Sequence, residues 1–208
     1  LLGPERRGLA LAEAERRTVA FHEAGHALVA LRTPGAEPLH KVTVLPRGAA
    51  LGLAMQRPAE ERFLRSRRQL TAELAVAAGG RAAEELEFGA DAVTTGAAGD
   101  LRHVAEAARR MVFELGMGPE GEDVAFLAWP QDPRLADTVS PEGRARLEAA
   151  VERLARGALE EARRVLQAHR GGLRALAEAL LRQETLDGAE AEAIVRSAVA
   201  CPALASAD

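Results

Sequence analysis

VAFHEAGHALVA, from Val19 to Ala30, is the most informative segment of this 208-residue chain. It lies inside a longer helical pattern, from about Ala12 to Arg32, that stops at the breaker Thr33-Pro34-Gly35. Positions i and i+4 of a helix share a face, so His22 and His26 project together. Two imidazoles so placed can hold one metal ion in tetrahedral geometry. Glu23, one residue after the first histidine, can reach a metal-bound water as general base. Zinc brings the pKa of such a water to about 7, and a carboxylate beside it can pass the proton to a leaving amine. Gly25 costs this helix about 1 kcal/mol against alanine, which implies that another element packs close there.

A catalytic zinc takes a third protein ligand and leaves one position open. Asp100, Glu84, Glu85, His103 and His40 are the candidates, and their chemistry alone does not choose between them. Asp100 stands near the start of a helix, just after the loop Thr94-Thr95-Gly96, where the dipole favours a carboxylate with or without a metal. Glu84 and Glu85 read as surface helix charges, His103 as a surface or packing histidine, and His40 as exposed before a strand. Cys201 sits in the tail.

Around this centre the pattern is mostly helical. Lys41 to Leu45 alternates at period two and Leu51 to Met55 is a second short run, with Pro46-Arg47-Gly48 as the hairpin turn between them. Ser66 with Gln69 forms a capping box for a helix from about Arg67 to Leu86, in which Gly79-Gly80 bends the helix or admits another backbone. A further helix spans about Gly99 to Leu115, and Met117 to Val139 reads as loop. Ser140-Pro141 opens a long helix to about His169, with an internal apolar stripe of Leu147, Val151, Leu154 and Leu159. Gly171-Gly172 is expected to break it, a short helix runs to Leu181, and Asp187 with Glu190 starts the last helix. The fold class is α+β, mostly α-helical, with a small β-sheet.

Composition narrows the function. The 48% hydrophobic and 28% charged content suits a globular chain that can bury a core. No apolar run reaches the length of a membrane span. A net charge of −4 gives no basic footprint for nucleic acid. Lys41, the single lysine, is followed by Val42, so no GxxxxGK[ST] phosphate loop exists and ATP has no Walker-type site. One cysteine excludes an internal disulfide and a multi-cysteine zinc site. Aromatics at 3%, with no tyrosine, leave a core of Ala, Leu and Val. A start at Leu1 without a signal pattern reads as a piece of something longer.

The chain resembles the peptidase domain of the FtsH family, membrane-anchored AAA+ zinc metalloproteases of the M41 type. The resemblance rests on VAFHEAGHALVA, HKVTVLPRG (His40 to Gly48), GGRAAEE (Gly79 to Glu85), VTTGAAGDL (Val93 to Leu101), ARRMVFELGMG (Ala108 to Gly118) and ALAEALLRQETLDG (Ala175 to Gly188), in the family's order. The opening LLGPERR resembles the joint after the family's ATPase module. The resemblance implies one zinc per chain held by His22, His26 and Asp100, with Glu23 as general base, and places Glu84 and Glu85 on a helix near the site rather than among the ligands. It implies a zinc endopeptidase acting on unfolded polypeptide, built as a homo-hexamer under an AAA+ ring that alone uses ATP, in membrane-protein quality control and turnover of short-lived proteins. The full-length protein is then expected in a bacterial inner membrane, anchored by an N-terminal segment, with this domain soluble on the cytoplasmic side. Residues 1–135 would form the zinc-binding catalytic part and 136–208 the C-terminal helical part, with the ATPase and transmembrane modules outside this chain. Three departures stand out: Phe21 where the family often has Tyr, Ala98-Gly99 where it commonly has Glu-Asn, and the loop from Gly118 to Pro133.

Substrate is expected to pair as an extended strand with a sheet edge, for which Leu51, Gly52, Leu53, Ala54 and Met55 are the candidate. With no tyrosine to stabilise an oxyanion, zinc itself, a backbone N–H or a histidine such as His103 must serve. Two other readings compete. In one the helices from Ser140 onward assemble a hexamer and the metal is only structural, which leaves Glu23 without a purpose. In the other it is a small-substrate HExxH hydrolase such as a deformylase, which needs an upstream cysteine ligand that Cys201 cannot supply.

Overall fold

The computed structural model describes residues 12–46, 52–56, 64–122 and 140–200. The opening LLGPERR, the turn residues Arg47 and Gly48, Leu51 of the candidate edge, most of the 117–139 loop and Cys201 lie outside them.

Helix α1 (Glu13–Arg32) is buried without interruption from Val19 to Ala30. A helix covered on all sides is a central helix, and the alanines of α1 let its neighbours come close. Helix α2 (Arg67–Phe88) starts at the expected box: Gln69 N–H donates to the Ser66 hydroxyl and Ser66 N–H to the Gln69 carboxamide. It crosses α1 where Gly25 meets Gly79. A Cβ on Gly79 would stand 2.9 Å from the Gly25 carbonyl oxygen, and one on Gly25 would collide with the Gly79 carbonyl. The two glycines therefore serve close approach, not a bend.

Strands β1 (Leu39–Thr43) and β2 (Leu53–Gln56) pair antiparallel, Val42 opposite Ala54. Both lie about two residues from their expected places. A register shift between Leu39 and Lys41 carries the pairing back to Leu39 opposite Gln56. A 3₁₀ turn, Ala90–Ala92, precedes the expected loop, and a second, Thr95–Ala97, falls in it and leads into α3 (Ala98–Phe113). Helix α4 (Pro141–Ala168) begins under the Ser140 cap with proline in its first turn.

The expected break at Gly171-Gly172 is corrected: α4 ends at Ala168, His169 caps it, and both glycines lie inside α5 (Arg170–Gln183). Gly172 is there for packing, since a Cβ would sit 3.2 Å from Val195 Cγ1 of α6 (Gly188–Ala200). Between α5 and α6 a third strand, β3 (Thr185–Asp187), pairs antiparallel with β1 and makes the sheet order β2-β1-β3. Asp187 and Glu190 then cap α6 reciprocally.

Two apolar clusters hold these parts together. The first joins α1, β1, α2, the end of α4, α5 and α6. The second joins Leu74 of α2 with α3 and the first half of α4, and takes up Leu147, Val151 and Leu154 of the α4 stripe. Helix α2 thus serves both cores and ties the outer helices to α1. Among the described residues no helix is long and apolar enough to cross a membrane.

Candidate metal centre

One face of α1 brings His22, Glu23 and His26 into the interior at 9%, 6% and 8% exposure. Asp100, in the first turn of α3, reaches the same point from the other side. Its Oδ2 lies 3.1 Å from His22 Nε2 and 3.4 Å from His26 Nε2, and the two Nε2 atoms are 3.1 Å apart. The three donor atoms all lie within 4.8 Å of one another.

The far sides of both rings show which atoms are free to bind. His26 Nδ1 donates to the Val76 carbonyl at 2.7 Å, and His22 Nδ1 donates to Glu84 Oε1 at 2.7 Å. With a proton on each Nδ1, each Nε2 faces the shared centre, where a metal can take its lone pair in place of a proton. Two lone pairs and a carboxylate oxygen at such separations repel unless a shared proton or a cation lies between them. Two imidazoles and a carboxylate form a three-ligand donor set of the kind that leaves a catalytic zinc an open position. Gly80 of α2 closes the cradle from behind: a Cβ there would stand 2.5 Å from His22 Nε2 and 2.6 Å from His26 Nε2.

Glu84 is not the surface charge that the sequence suggests. It is 1% exposed, and its second oxygen accepts from Thr94 N–H at 2.7 Å. One carboxylate thus orients His22 and anchors the turn that leads to Asp100. Glu85 instead pairs with Arg163 of α4 at 2.8 Å. His103 lies on the cavity wall but outside the cluster, its Nε2 bonded to Glu73 at 3.1 Å. His40 sits exposed on β1.

Charge follows this geometry. Burial opposes a charged His22, but hydrogen bonds to Asp100 and Glu84 and the nearby carboxylate charges outweigh it and push its pKa up to about 10. Burial likewise opposes an ionised Asp100, yet the two histidines hold its carboxyl well below the usual range. Glu84 is lowered in the same way, against its burial, by His22 and the Thr94 N–H. Glu23 goes the other way: burial raises it, and the histidine charges and the Ala54 backbone only partly offset that.

The group opens into a cavity of about 960 Å³ whose wall includes Gly52, Leu53 and Ala54 as well as Glu23 and all three donors. Among the described residues β2 pairs only with β1 and is an edge strand. Sequence reasoning missed Gly80 as the cradle, Val76 because it acts through its carbonyl, and Glu84 because an acidic residue on a helix looks solvated. The spacing held one usable signal, since Gly80 and Glu84 share a face at i and i+4.

The profile of peptidase family M41 matches residues 9–194. The chain is similar to an ATP-dependent zinc metalloprotease FtsH of Caulobacter vibrioides, 39% identical over 94% of this chain and 32% of that protein. It is 44% identical to an ATP-dependent zinc metalloprotease FtsH 4 of Sorangium cellulosum over 94% of this chain and 31% of the relative. The human ATP-dependent zinc metalloprotease YME1L1 is 38% identical over 94% of this chain and 24% of its own length. The chain therefore spans less than a third of the length of each of these relatives.

Proposed function

The chain belongs to peptidase family M41, and on that premise we propose that it is a zinc-dependent endopeptidase cleaving unfolded polypeptide. The observation that carries this reading is a buried carboxylate, Glu23, beside three converging donors at the wall of an open cavity. His22 Nε2, His26 Nε2 and Asp100 Oδ2 would hold the zinc, and Glu84 and Val76 would fix both imidazoles through Nδ1. Zinc so held supplies Lewis acidity towards water and a peptide carbonyl. Glu23 takes a proton from the attacking water and delivers it to the amide nitrogen as the C–N bond breaks. Burial suits it to this task, because a carboxylate with raised proton affinity is a stronger base. Substrate lies along the β2 edge as an added strand, at Gly52, Leu53, Ala54 and Met55.

The longer protein is read as a homo-hexamer whose own AAA+ module unfolds and delivers the substrate, spending ATP that this domain does not bind. It is read as anchored by an N-terminal segment in a bacterial inner membrane, with this domain on the cytoplasmic side, in membrane-protein quality control and turnover of short-lived proteins. Residues 1–135 carry the metal site, and 136–208 support it.

The test is cleavage of an unstructured peptide by zinc-loaded protein, wild type against Glu23→Gln. Zinc-dependent cleavage that is lost in the variant, with zinc still bound, is the expected result. Turnover that survives Glu23→Gln would remove Glu23 as base. An inactive but zinc-loaded wild type, at concentrations where it forms a ring, would favour an assembly domain with a structural metal or an obligatory role for the ATPase module.

A further inference from the structure

Helix α1 fixes the Cα of Glu23 but not its carboxylate, which lies three rotatable bonds away. The restraint comes from β2. The three atoms nearest a Cβ built on buried Gly52 all belong to Glu23: Oε1 at 2.5 Å, Cγ at 2.7 Å and Cδ at 2.8 Å. None of its nearest neighbours belongs to His22, His26 or Asp100. Two residues on, the Ala54 backbone favours the ionised form of the same carboxylate. An added Cβ at position 52 would therefore compete first with the Glu23 carboxylate for one volume.

We infer that Gly52 is a positioning residue for the base: the space it leaves at the head of the edge strand is the seat of the Glu23 carboxylate. The strand on which the peptide is proposed to dock is then the strand that aims the proton acceptor. Docking and base alignment are coupled through a single short element. The inference rests on the reading of Glu23 as general base.

Gly52→Ala tests it. The carboxylate must retreat by roughly 0.6–0.9 Å to regain ordinary contact, and a misplacement near 1 Å costs about 100-fold in rate. The zinc-loaded variant should turn over an unstructured peptide about 100-fold more slowly, with KM and zinc affinity close to wild type. A second pair of variants separates positioning from general damage. Glu23→Ala removes all three atoms that the added Cβ would meet, so Gly52→Ala/Glu23→Ala should be no slower than Glu23→Ala alone and should keep its zinc affinity. Wild-type turnover in Gly52→Ala would overturn the inference. So would a raised KM with unchanged kcat, a loss of zinc or of the fold, or losses that multiply in the double variant. Glu23→Gln keeps the two claims apart. Activity there removes the base itself, whereas an inactive Glu23→Gln beside a fully active Gly52→Ala removes only the positioning role.

Discussion

Replacing Gly80 by alanine should abolish tight zinc binding while leaving the helix that carries it intact. The added Cβ would stand 2.5 Å from both Cε1 and Nε2 of His22 and 2.6 Å from His26 Nε2. Both rings must retreat by roughly 0.8–0.9 Å to reach ordinary contact, several times the ~0.2 Å tolerance of a coordination bond. Helix α2 cannot back away to make room without opening its seam with α1, because Gly79 next door is packed on the Gly25 carbonyl. With two of three donors displaced, affinity should fall at least about 100-fold, which is roughly 2.7 kcal/mol. Alanine is the better helix former by about 1 kcal/mol, so nothing in the helix itself predicts a loss of fold. The assay is a competitive chelator titration for zinc, run beside thermal melts without metal. Gly157→Ala is the control: it lies in α4 with nothing within 4 Å of the added carbon. It should raise stability by about 0.5–1 kcal/mol and leave zinc binding alone. Wild-type zinc affinity in Gly80→Ala would refute the reasoning.

Two further outcomes follow from other contacts. Glu84→Gln keeps the shape but replaces one of two acceptor oxygens by a donor, so either His22 Nδ1 or Thr94 N–H loses its partner. Zinc affinity measured by the same titration should drop about 10–100-fold, and an unchanged value would show that the carboxylate orients nothing. His169, at the end of α4, has its pKa lowered by burial and by the charges of Arg32 and Arg164. Below pH 6.5 the unfolded chain then binds more protons at this site than the folded one, so its contribution is present above that pH and lost as pH falls. His169→Gln should therefore lose less Tm than wild type between pH 7 and pH 5, and an equal or steeper loss would count against that sign.

Legibility in the sequence tracked the range of the interactions concerned. Helices α1, α2 and α4 could be read because their signals are local: a breaker at Pro34-Gly35, a box at Ser66 and Gln69, a cap at Ser140. His22, Glu23 and His26 could be read because one helical turn places them. The short strand β3 could not. It holds three residues, and what makes it a strand is β1 beside it, together with Glu184 in the left-handed region, whose carbonyl takes the Val44 N–H. Gly171-Gly172 misled for a related reason. A glycine pair weakens an isolated helix, but here Gly172 is held by Val195, a residue more than twenty positions on.

The same distinction explains how the centre is built. Its chemistry comes from one turn of α1, but its geometry comes from groups without chemistry of their own. Gly25 and Gly79 let α2 lie against α1, Gly80 opens room for two imidazoles, Gly52 opens room for a carboxylate, and the Val76 carbonyl fixes a tautomer. A Cβ at Gly52 would press on the Glu23 carboxylate, one at Gly80 on both imidazoles, and one at Gly25 or Gly79 would part α1 from α2. An HExxH on a helix that lacked those neighbours would present the same ligands at distances a metal cannot use. The glycines are therefore the sharper test: the motif supplies donors wherever it occurs, whereas only this packing brings Asp100 Oδ2 within 3.4 Å of both Nε2 atoms.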